Sequence, residues 1–423
     1  MILYKSALFD SARQDAILAH LESYINRVRA TMTLPPEAVI QAVDRLGSRI
    51  AAGEFDPVIA RVASPEEVEE YRALAVRLMS RSALEARLKN ELGEPLRDDP
   101  TSPIRQERRP LGTLFHIAAG NMDGLPAYSV VEGLLTGNFN ILKLPSADDG
   151  VTVEILSALI REEPLIGDFV AVFDTPSTDT EAMRKMAMMA DGIVVWGGET
   201  AITAVRALAP PGVKLIEWGH RLGFAYVSGT PSDEELAALA SHIAGTKQLL
   251  CSSAQVIYLD TASMPDLRAF ADRFLPHLDR AMAAHPVTDL GAMARITTRR
   301  RCRELAEALG ERESGEVLRG SADCSLILKT DSALEISPLW GNVLVKRLPR
   351  ANLLPVLRTA KGTLQTAALL CPVQDRASLT EVLLRAGVNR VRRAGDLSAS
   401  FPGEAHDGEF PLRRCTRIVD IEK

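Results

Sequence analysis

Cys251 is the residue whose sequence context best suits covalent chemistry. It lies in "QLLCSS", between a segment with helical apolar spacing that ends at Gln248 and the strand-like run "QVIYLD". A thiolate is a nucleophile that also leaves readily from a thioester, so a cysteine at this junction could accept and release an acyl group. The alternative is a core thiol without a chemical role, and the rest of the chain must decide between the two.

Two polar residues at predicted strand ends could assist such a thiol. Glu217 closes the strand "KLIEW", thirty-four residues before Cys251, where a carboxylate can act as a base directly or through water. Asn121 follows the strand "TLFHI" in "HIAAGN", so its amide could donate a hydrogen bond into the crevice at the strand ends. Taken alone, Glu217 is also typical of a helix cap or an ion-pair partner.

Three further residues are candidates for binding a phosphate or a ribose. Lys143 ends the strand "NILK", twenty-two residues after Asn121, where its ammonium could meet ribose hydroxyls or a phosphate. Gly197 and Gly198 link a strand to a helix in "VVWGGETAI", so backbone N–H groups at the helix start could face a phosphate. A solvated lysine and a tight turn are the alternatives, and the sequence contains no GxGxxG.

The elements that would position these residues alternate between strand and helix. From Arg109 to Gly219, short apolar runs rich in β-branched residues alternate with amphipathic helical segments, which predicts a parallel, doubly wound sheet. Residues 11–95 have the three- and four-residue apolar spacing of helices. The polar, proline-punctuated stretch 93–110 predicts a loop or an exposed ribbon.

A second α/β unit is predicted after Gly219. Its first elements are a helix over 232–248, a strand over 255–260 and a helix over 264–283. We therefore expect two doubly wound α/β domains: residues 1–219, with the mostly helical N-terminal region, and residues 220–423. Cys251 then lies near the start of the second domain, close to a domain boundary, where ligand sites tend to form.

Composition excludes several classes of function. The 423 residues include 46% hydrophobic and 25% charged residues, with a net charge of -6, so nucleic acid is not an expected partner. No apolar run is long enough for a membrane span, and charge appears too early at the start for a secretory signal peptide. The five cysteines are widely spaced without a CxxC pair, which indicates reduced thiols in a cytoplasmic protein. The seven histidines form no metal-binding motif, so no metal is expected.

Together, the ordered set of asparagine, lysine, glycine pair, glutamate and cysteine resembles the aldehyde dehydrogenase superfamily. The closer resemblance is to its fatty acyl-CoA reductase branch, the LuxC type. It is carried by "GTLFHIAAGNMDGLPAYSVVEGLLTGNFNILKLPS", "GHRLGFAYVS", "CSSAQVIYLD" and "HDGEFPLRR", and it covers roughly residues 105–423. This resemblance implies an aldehyde dehydrogenase-like fold and a homo-oligomer.

The resemblance also implies a role for each candidate residue. Cys251 would be the nucleophile, Asn121 with the Cys251 backbone N–H would form the oxyanion hole, and Glu217 would be the general acid or base. The cofactor would be bound by the remaining candidates, which are Lys143, Ser146, Gly197 and Gly198. The implied reaction is reduction of an acyl-CoA to an aldehyde with NAD(P)H through a cysteine thioester, with an acyl-transferring enzyme as a further expected partner.

The sequence departs from the family pattern at three positions. Thr203 stands where the second glycine after the turn is usual, and Pro338 stands near the position of a ribose-binding glutamate, with Glu335 close by. Ala147 stands where another ribose-binding glutamate is common. Because a carboxylate at that last position would repel a 2'-phosphate, its absence predicts NADPH in preference to NADH.

Three alternatives remain open at this point. Two share the fold: an aldehyde dehydrogenase working in the oxidative direction and an acyl-phosphate reductase. The third is a cysteine acyltransferase, in which Cys251 would pass the acyl group to a nucleophile without redox chemistry. NAD(P)H consumption that depends on acyl-CoA would distinguish reduction from simple acyl transfer.

Overall fold

The chain folds into two units, each built around its own seven-stranded sheet. In a computed structural model, the residues described are 1–63, 65–93, 96, 101–118, 124–146, 148–309, 315–399 and 403–423. The first unit is Met1–Gly219 together with Phe401–Lys423, and the second is His220–Ser400. The predicted boundary after Gly219 coincides with this division.

The N-terminal region is mostly helical, as the apolar spacing predicts. Ser80 caps one of its helices by accepting a hydrogen bond from the Ala83 backbone N–H, and Pro36 begins another at the position where proline is favoured. Ser64, which precedes "PEEVEE" and whose residue type is typical of a helix cap, lies outside the described residues. The elements are β1 (Ile2–Tyr4), β2 (Ala7–Phe9), α1 (Gln14–Thr31), α2 (Pro36–Ala51), α3 (Asp56–Ile59), α4 (Pro65–Met79) and α5 (Arg81–Leu92).

The sheet of the first unit has the predicted parallel, doubly wound core. After the strand β3 (Ile104–Pro110), its elements are β4 (Thr113–Ile117), α6 (Leu125–Leu135), β5 (Phe139–Lys143), α7 (Val151–Glu162), β6 (Val170–Phe173), α8 (Thr180–Met188), β7 (Gly192–Trp196), α9 (Glu199–Leu208) and β8 (Lys214–Trp218). The strand order is β2-β1-β6-β5-β4-β7-β8, and β4 to β8 run parallel. The carboxyl ends of these five strands therefore lie along one edge of the sheet.

The second unit repeats this architecture with a different strand order. Its elements are β9 (Leu222–Val227), α10 (Asp233–Thr246), β10 (Ala254–Leu259), α11 (Met264–Ala284), α12 (Leu290–Ala308), β11 (Gly315–Arg319), β12 (Ser325–Lys329), β13 (Asn342–Arg347), α13 (Leu353–Arg358), β14 (Leu364–Leu370), α14 (Val373–Ala386) and β15 (Arg390–Arg392). The order is β11-β12-β13-β10-β9-β14-β15, and β11 is antiparallel to its neighbour. Every residue of β9 and β10 is buried, as expected for parallel strands covered on both faces. The predicted α/β fold class is confirmed.

The C-terminal segment packs with the first unit, whereas the sequence assigned it to the second domain. It comprises α15 (Pro411–Arg414) and β16 (Thr416–Glu422). β16 pairs along its whole length with β3, which is the exposed ribbon expected within 93–110. The Leu412 backbone N–H donates to the buried Glu91 carboxylate at 2.7 Å, and Cys415 packs in a cluster with Trp218.

The helices carry no membrane-spanning signal in the part of the chain that the structure describes. None of them there is both long enough and apolar enough to cross a bilayer.

Candidate active site

Cys251 lies exposed on a short loop that joins α10 to β10. A capping box begins α10: the Ser232 hydroxyl accepts from the Glu235 backbone N–H, and the Glu235 carboxylate accepts from the Ser232 N–H. The loop runs close to β9 because Gly223 has no side chain; a Cβ there would lie 2.5 Å from the Ser252 carbonyl oxygen. The fold thus presents this thiol to solvent on a backbone that is tightly packed behind it.

Three of the other cysteines are in environments that suppress thiolate formation. Burial, with the nearby Asp279 carboxylate, raises the pKa of Cys324 to about 12. Burial also raises the pKa of Cys371 and of Cys415. Cys302 is exposed, on α12, and none of the five cysteines forms a disulfide within the described residues. Because the thiolate is the nucleophilic form, Cys251 and Cys302 are the two cysteines whose exposure suits reaction with a substrate.

Glu217 is the fourth residue of β8 and is held by a guanidinium that the sequence analysis did not identify. Arg206 of α9 donates to both of its carboxylate oxygens, at 2.6 and 2.7 Å. These hydrogen bonds, with the charges of Arg206 and Arg414, hold the pKa of the Glu217 carboxyl below its ordinary value. The carboxylate is 22% exposed. It is therefore ionised at neutral pH and remains in reach of solvent.

The glycine pair lies beside Glu217 at the same edge of the first sheet. Gly197 follows β7, and its N–H donates to the Trp218 carbonyl at the end of β8, at 3.2 Å. Gly198 is the N-cap of α9, and its extended backbone leaves the first N–H groups of that ten-residue helix without a side-chain cap. A Cβ added at Gly198 would meet open space, so a ligand phosphate could approach the helix start.

Lys143 and Ser146 lie at the end of β5 but face different surroundings. The Lys143 ammonium donates to the Ser177 hydroxyl at 2.9 Å, and burial of the side chain lowers its pKa. Ser146 lines a cavity of about 800 Å³ at the carboxyl ends of β5 and β6. Both residues therefore lie at the predicted edge of the sheet. The ammonium of Lys143 contacts Ser177, whereas Ser146 faces the cavity.

The cavity beside Ser146 carries charges of both signs. Its charged lining residues are Arg61, Asp148, Asp149, Glu154, Arg161 and Asp174. The hydroxyl of Ser157, also in the lining, is buried and has no hydrogen-bond partner among the residues that the structure describes. Asp148 accepts from the Thr152 backbone N–H at 3.2 Å and so caps the start of α7. The orphaned hydroxyl and the open helix start at Gly198 are features that a bound nucleotide would fit.

Two predicted positions lie outside the described residues, and Glu335, near a third position, forms an ion pair. Asn121 and Ala147 are among the residues that the structure does not describe. Glu335, close to the Pro338 departure, accepts hydrogen bonds from Lys329 at 2.9 Å and from the fully buried Lys346 at 2.5 Å. That carboxylate neutralises a buried ammonium within the second unit.

Sequence reasoning missed the partners of the site residues. Arg206, Ser177 and the buried Gln248 were not singled out, although each contacts a predicted site residue or the Cys251 loop. No local pattern marks them, because each partnership joins different elements of the sheet or different sides of a loop.

Comparisons with known proteins agree with the resemblance. The profile of a family described as "Acyl-CoA reductase (LuxC)" matches residues 32–418. A long-chain acyl-protein thioester reductase of Aliivibrio fischeri is 25% identical over 368 residues, which are 84% of this chain and 74% of that protein. A protein of the same name from Photobacterium phosphoreum is 24% identical over 370 residues, covering 85% of this chain and 74% of its own.

Solved structures of aldehyde dehydrogenases have the same fold. An indole-3-acetaldehyde dehydrogenase in complex with NAD+ superposes with a TM-score of 0.71 at 16% identity, covering 99% of this chain and 90% of its own. A NAD-dependent benzaldehyde dehydrogenase from Corynebacterium glutamicum gives a TM-score of 0.66 at 15% identity, covering 98% and 91%. At these identities the likeness concerns the fold, and the predicted aldehyde dehydrogenase-like architecture is confirmed.

Proposed function

The chain belongs to the acyl-CoA reductase (LuxC) family, and from that premise we propose that it reduces a fatty acyl thioester to an aldehyde through an acyl-enzyme on Cys251. The observation that carries the proposal is the exposure of Cys251 on a short, tightly packed loop, while Cys324 and Cys415 are buried. An acyl-accepting thiol needs such access, because its carbonyl substrate must approach the sulfur atom.

The first half of the reaction is a thioester exchange. The Cys251 Sγ, as thiolate, attacks the acyl carbonyl carbon, and the bond from that carbon to the sulfur of CoA then breaks. The acyl group becomes bound to Cys251, and CoA leaves as its thiolate and takes up a proton. No net oxidation or reduction occurs in this half, so it can proceed without a cofactor.

The second half requires a reductant, and the first unit offers residues suited to hold one. Gly197 and Gly198 would face the phosphates of a nicotinamide dinucleotide, while Lys143 and Ser146 would lie near its ribose or phosphate groups. When bound there, a reduced cofactor would supply the hydride. Its addition to the acyl carbonyl carbon would give an oxyanion still bound to Cys251, and collapse of that oxyanion would break the bond from carbon to Sγ, release the aldehyde and restore the Cys251 thiolate.

Two further residues would stabilise the oxyanion and transfer a proton. The Asn121 amide and the Cys251 backbone N–H would donate to the oxyanion that forms in each half-reaction, a contribution of about 3 kcal/mol for a donor of this kind. Glu217 would transfer the proton, directly or through water. Its exposure leaves room for that exchange, and its release from Arg206 would be part of the step.

The test of the function is acylation without cofactor. The protein is incubated with a fatty acyl-CoA, and the adduct is located by intact-mass and peptide mass spectrometry. We expect one acyl group on Cys251, and we expect Cys251→Ala to lose both the adduct and NAD(P)H consumption. Cys302→Ala, which removes the other exposed thiol, is the matched control and should behave as wild type. An active, acylated Cys251→Ala protein would overturn the mechanism.

The acyl donor is the finer part of the proposal. The two bacterial relatives are named for acyl-protein thioesters, whereas the family description names acyl-CoA. We propose a long acyl chain delivered as a thioester, either by CoA or by a partner protein. A steady-state comparison of acyl-CoA, acyl-protein thioester and acyl phosphate at equal acyl chain length identifies the donor. Preference for acyl phosphate would favour the related reductase class instead.

The preference for NADPH also remains a proposal. The lining arginines Arg61 and Arg161 favour a 2'-phosphate, whereas the four lining carboxylates, Asp148, Asp149, Glu154 and Asp174, oppose it. The proposal therefore rests on Ala147, which adds no carboxylate to repel the phosphate. The test is kcat/KM for NADPH and NADH in the wild type and in Lys143→Ala. We expect the wild type to favour NADPH and the variant to lose part of that preference; equal or better use of NADH by the wild type contradicts it.

A further inference from the structure

The backbone before Cys251 has a conformation that its residues do not favour by themselves. Beyond the end of α10 at Thr246, both Lys247, with φ of 50°, and Gln248, with φ of 62°, are in the left-handed region. Side chains with a Cβ rarely adopt this region, and they keep it only where the surroundings fix it. The loop that carries Cys251 must therefore be held by contacts outside its own backbone preferences.

Gln248 holds the loop through two hydrogen bonds of its side-chain amide, one from the nitrogen and one to the oxygen. The side chain is 1% exposed; its Nε2 donates to the Ala254 carbonyl at 3.0 Å, and its Oε1 accepts from the Gly341 N–H at 3.1 Å. The bond to Ala254 closes a ring around residues 249–253, and Cys251 lies at the middle of that ring. One buried amide thus fixes the distance between the two ends of the loop.

Gln255 ties the same loop to a second segment. Its Nε2 donates to the Gln248 carbonyl at 2.8 Å, and its Oε1 accepts from the N–H and the hydroxyl of Ser337, at 3.2 and 2.9 Å. The Trp340 backbone N–H donates to the Lys247 carbonyl at 3.0 Å. We call Gln248 and Gln255 the glutamine brace, since together they join the Cys251 loop to residues 337–341.

The second segment is itself in an unfavourable conformation. Leu339, with φ of 67°, and Trp340, with φ of 49°, are also left-handed. The Trp340 ring is buried and lies under the guanidinium of Arg295 at 4.9 Å. Two strained segments that hydrogen-bond to each other form one unit, so a displacement of either must displace the other.

We propose that Gln248 is a positioning residue for Cys251: the glutamine brace fixes the loop so that the thiol meets the acyl carbonyl in one orientation, and it couples this orientation to residues 337–341. The proposal rests on the proposed function, in which Cys251 is the nucleophile. It goes beyond that function because Gln248 and Gln255 are buried and act through the loop. Leu249 and Leu250, both exposed beside Cys251, contribute little packing of their own to hold it.

The test compares Gln248→Met with wild type in the full-length protein. Methionine keeps the length and burial of the side chain but makes neither hydrogen bond. We measure acylation of Cys251 by a fatty acyl-CoA and, separately, its alkylation by iodoacetamide, which needs no fixed approach. Acylation should slow on the order of a hundredfold, as expected when a reacting group is misplaced by about 1 Å, while alkylation should change by no more than about threefold.

Gln365→Met is the matched control. Gln365 is also a buried glutamine of the second unit, 2% exposed, and is the second residue of β14. It should lose stability without slowing acylation beyond about threefold, a spread that reflects ordinary variation between variants. If both variants slow acylation equally, or if Gln248→Met acylates as fast as wild type, the positioning role is wrong.

Hydrogen exchange separates this inference from the function on which it rests. The backbone amides of residues 249–253 should exchange faster in Gln248→Met than in wild type, whether or not any acyl donor reacts. Unchanged exchange overturns the brace. Absence of acylation in the wild type overturns the proposed function. The hydrogen-exchange rates of residues 249–253 then decide whether the glutamine brace holds the loop. If Gln248→Met does not fold, Gln255→Met removes the second half of the brace and is expected to change acylation and exchange in the same directions.

Discussion

At Glu217, two hydrogen bonds from Arg206 favour the ionised carboxylate. A carboxylate in this state accepts a proton less readily than an unpaired one, so a base at this position works best after the guanidinium has moved away. Arg206 is 63% exposed and on the surface of α9, where its side chain has room to leave. In the paired state Glu217 is ionised, and it could accept a proton once Arg206 has moved away.

Glu217→Gln tests the role of this carboxylate in proton transfer. The amide keeps the size of the side chain but cannot take a proton, so turnover should fall about a hundredfold or more, the usual scale for a general acid or base. Steady-state kcat with acyl-CoA is the measurement, and Glu381→Gln, at a surface ion pair with Arg385, is the control. If only thermal stability changes, Glu217 is an ion-pair partner without a catalytic role.

Arg206→Gln should move the acid limb of the pH–rate profile. Removing the guanidinium removes the main cause that holds the pKa of Glu217 down, so this pKa rises towards its ordinary value. The carboxylate then becomes protonated at higher pH, and activity should be lost at a higher pH than in the wild type.

The same ion pair also makes the stability of the fold depend on pH. A depressed carboxyl pKa stabilises the fold above the unfolded pKa, and this contribution is lost as pH falls through the folded pKa. The stability difference between wild type and variant should thus be present at neutral pH and shrink in acid. An acid limb that does not move would show that Glu217 is not the group that titrates.

The proximity of three candidate residues could be predicted from the sequence, whereas their partners could not. Gly197 and Gly198 follow β7, and Glu217 is the next-to-last residue of β8. Because the carboxyl ends of parallel strands meet at one edge, their proximity follows from the pattern. Arg206 reaches Glu217 because α9 packs against β7, the strand that pairs with β8. Such a contact depends on how a helix docks, which local spacing does not encode.

At the scale of the elements, β4 contains a buried histidine that ties the sheet to its neighbours. The His116 ring is hydrogen-bonded to the Ser129 hydroxyl of α6 at 2.8 Å and to the Asn140 side chain of β5 at 3.0 Å. The Trp196 indole N–H donates to the same hydroxyl at 3.2 Å. Burial lowers the pKa of His116 to about 4, so the ring is neutral at physiological pH.

His116 should make the fold less stable between about pH 6.5 and pH 4. The unfolded chain takes up a proton on this ring near pH 6.5, and the folded protein does not until about pH 4. Stability is therefore complete above the unfolded pKa and falls through this window, by roughly 3 kcal/mol at most. Urea unfolding at several pH values measures the effect.

His116→Gln should lack this part of the pH dependence, because glutamine cannot take up the proton. The exposed His20→Gln is the control and should keep the wild-type dependence. Parallel curves for wild type and His116→Gln would contradict the assignment. His242, partly buried in the second unit with its pKa also lowered to about 4 by desolvation, contributes a separate dependence that neither variant changes.

The ends of elements were harder to predict than their existence. The apolar spacing extends the helix before Cys251 to Gln248, but α10 ends at Thr246. The next two residues are left-handed, and the chain has no glycine there to mark the change. Since buried hydrogen bonds from Gln248 and Gln255 hold this conformation, tertiary contacts overrule the local preference.

At the scale of the whole molecule, the chain passes between its two units twice. It leaves the first unit after Gly219 and returns to it with Phe401–Lys423. The sequence did not predict that the last segment belongs to the first unit. β3 and β16 are polar strands about three hundred residues apart, and neither has a sequence pattern that identifies the strand with which it pairs. Only the pairing itself shows that the last segment completes the first unit.

Truncation after Ala399 should destabilise the first unit selectively. The deletion removes the partner of β3, the Leu412 contact to Glu91 and the Cys415 packing beside Trp218. Amides of β7 and β8 should lose protection in hydrogen exchange, whereas those of β9 and β10 should keep most of theirs. Equal loss in both units would mean that the two units unfold together.

The return of Phe401–Lys423 to the first unit has a consequence for synthesis on the ribosome. Domains usually fold in the order in which they are translated, but here the earlier unit lacks β16 and its cover over Trp218 until the last residues emerge. The later unit, His220–Ser400, has all its strands before then. Until β16 has been synthesised, the nascent first unit therefore exposes the unpaired edge of β3 and the surface of Trp218 that Cys415 later covers.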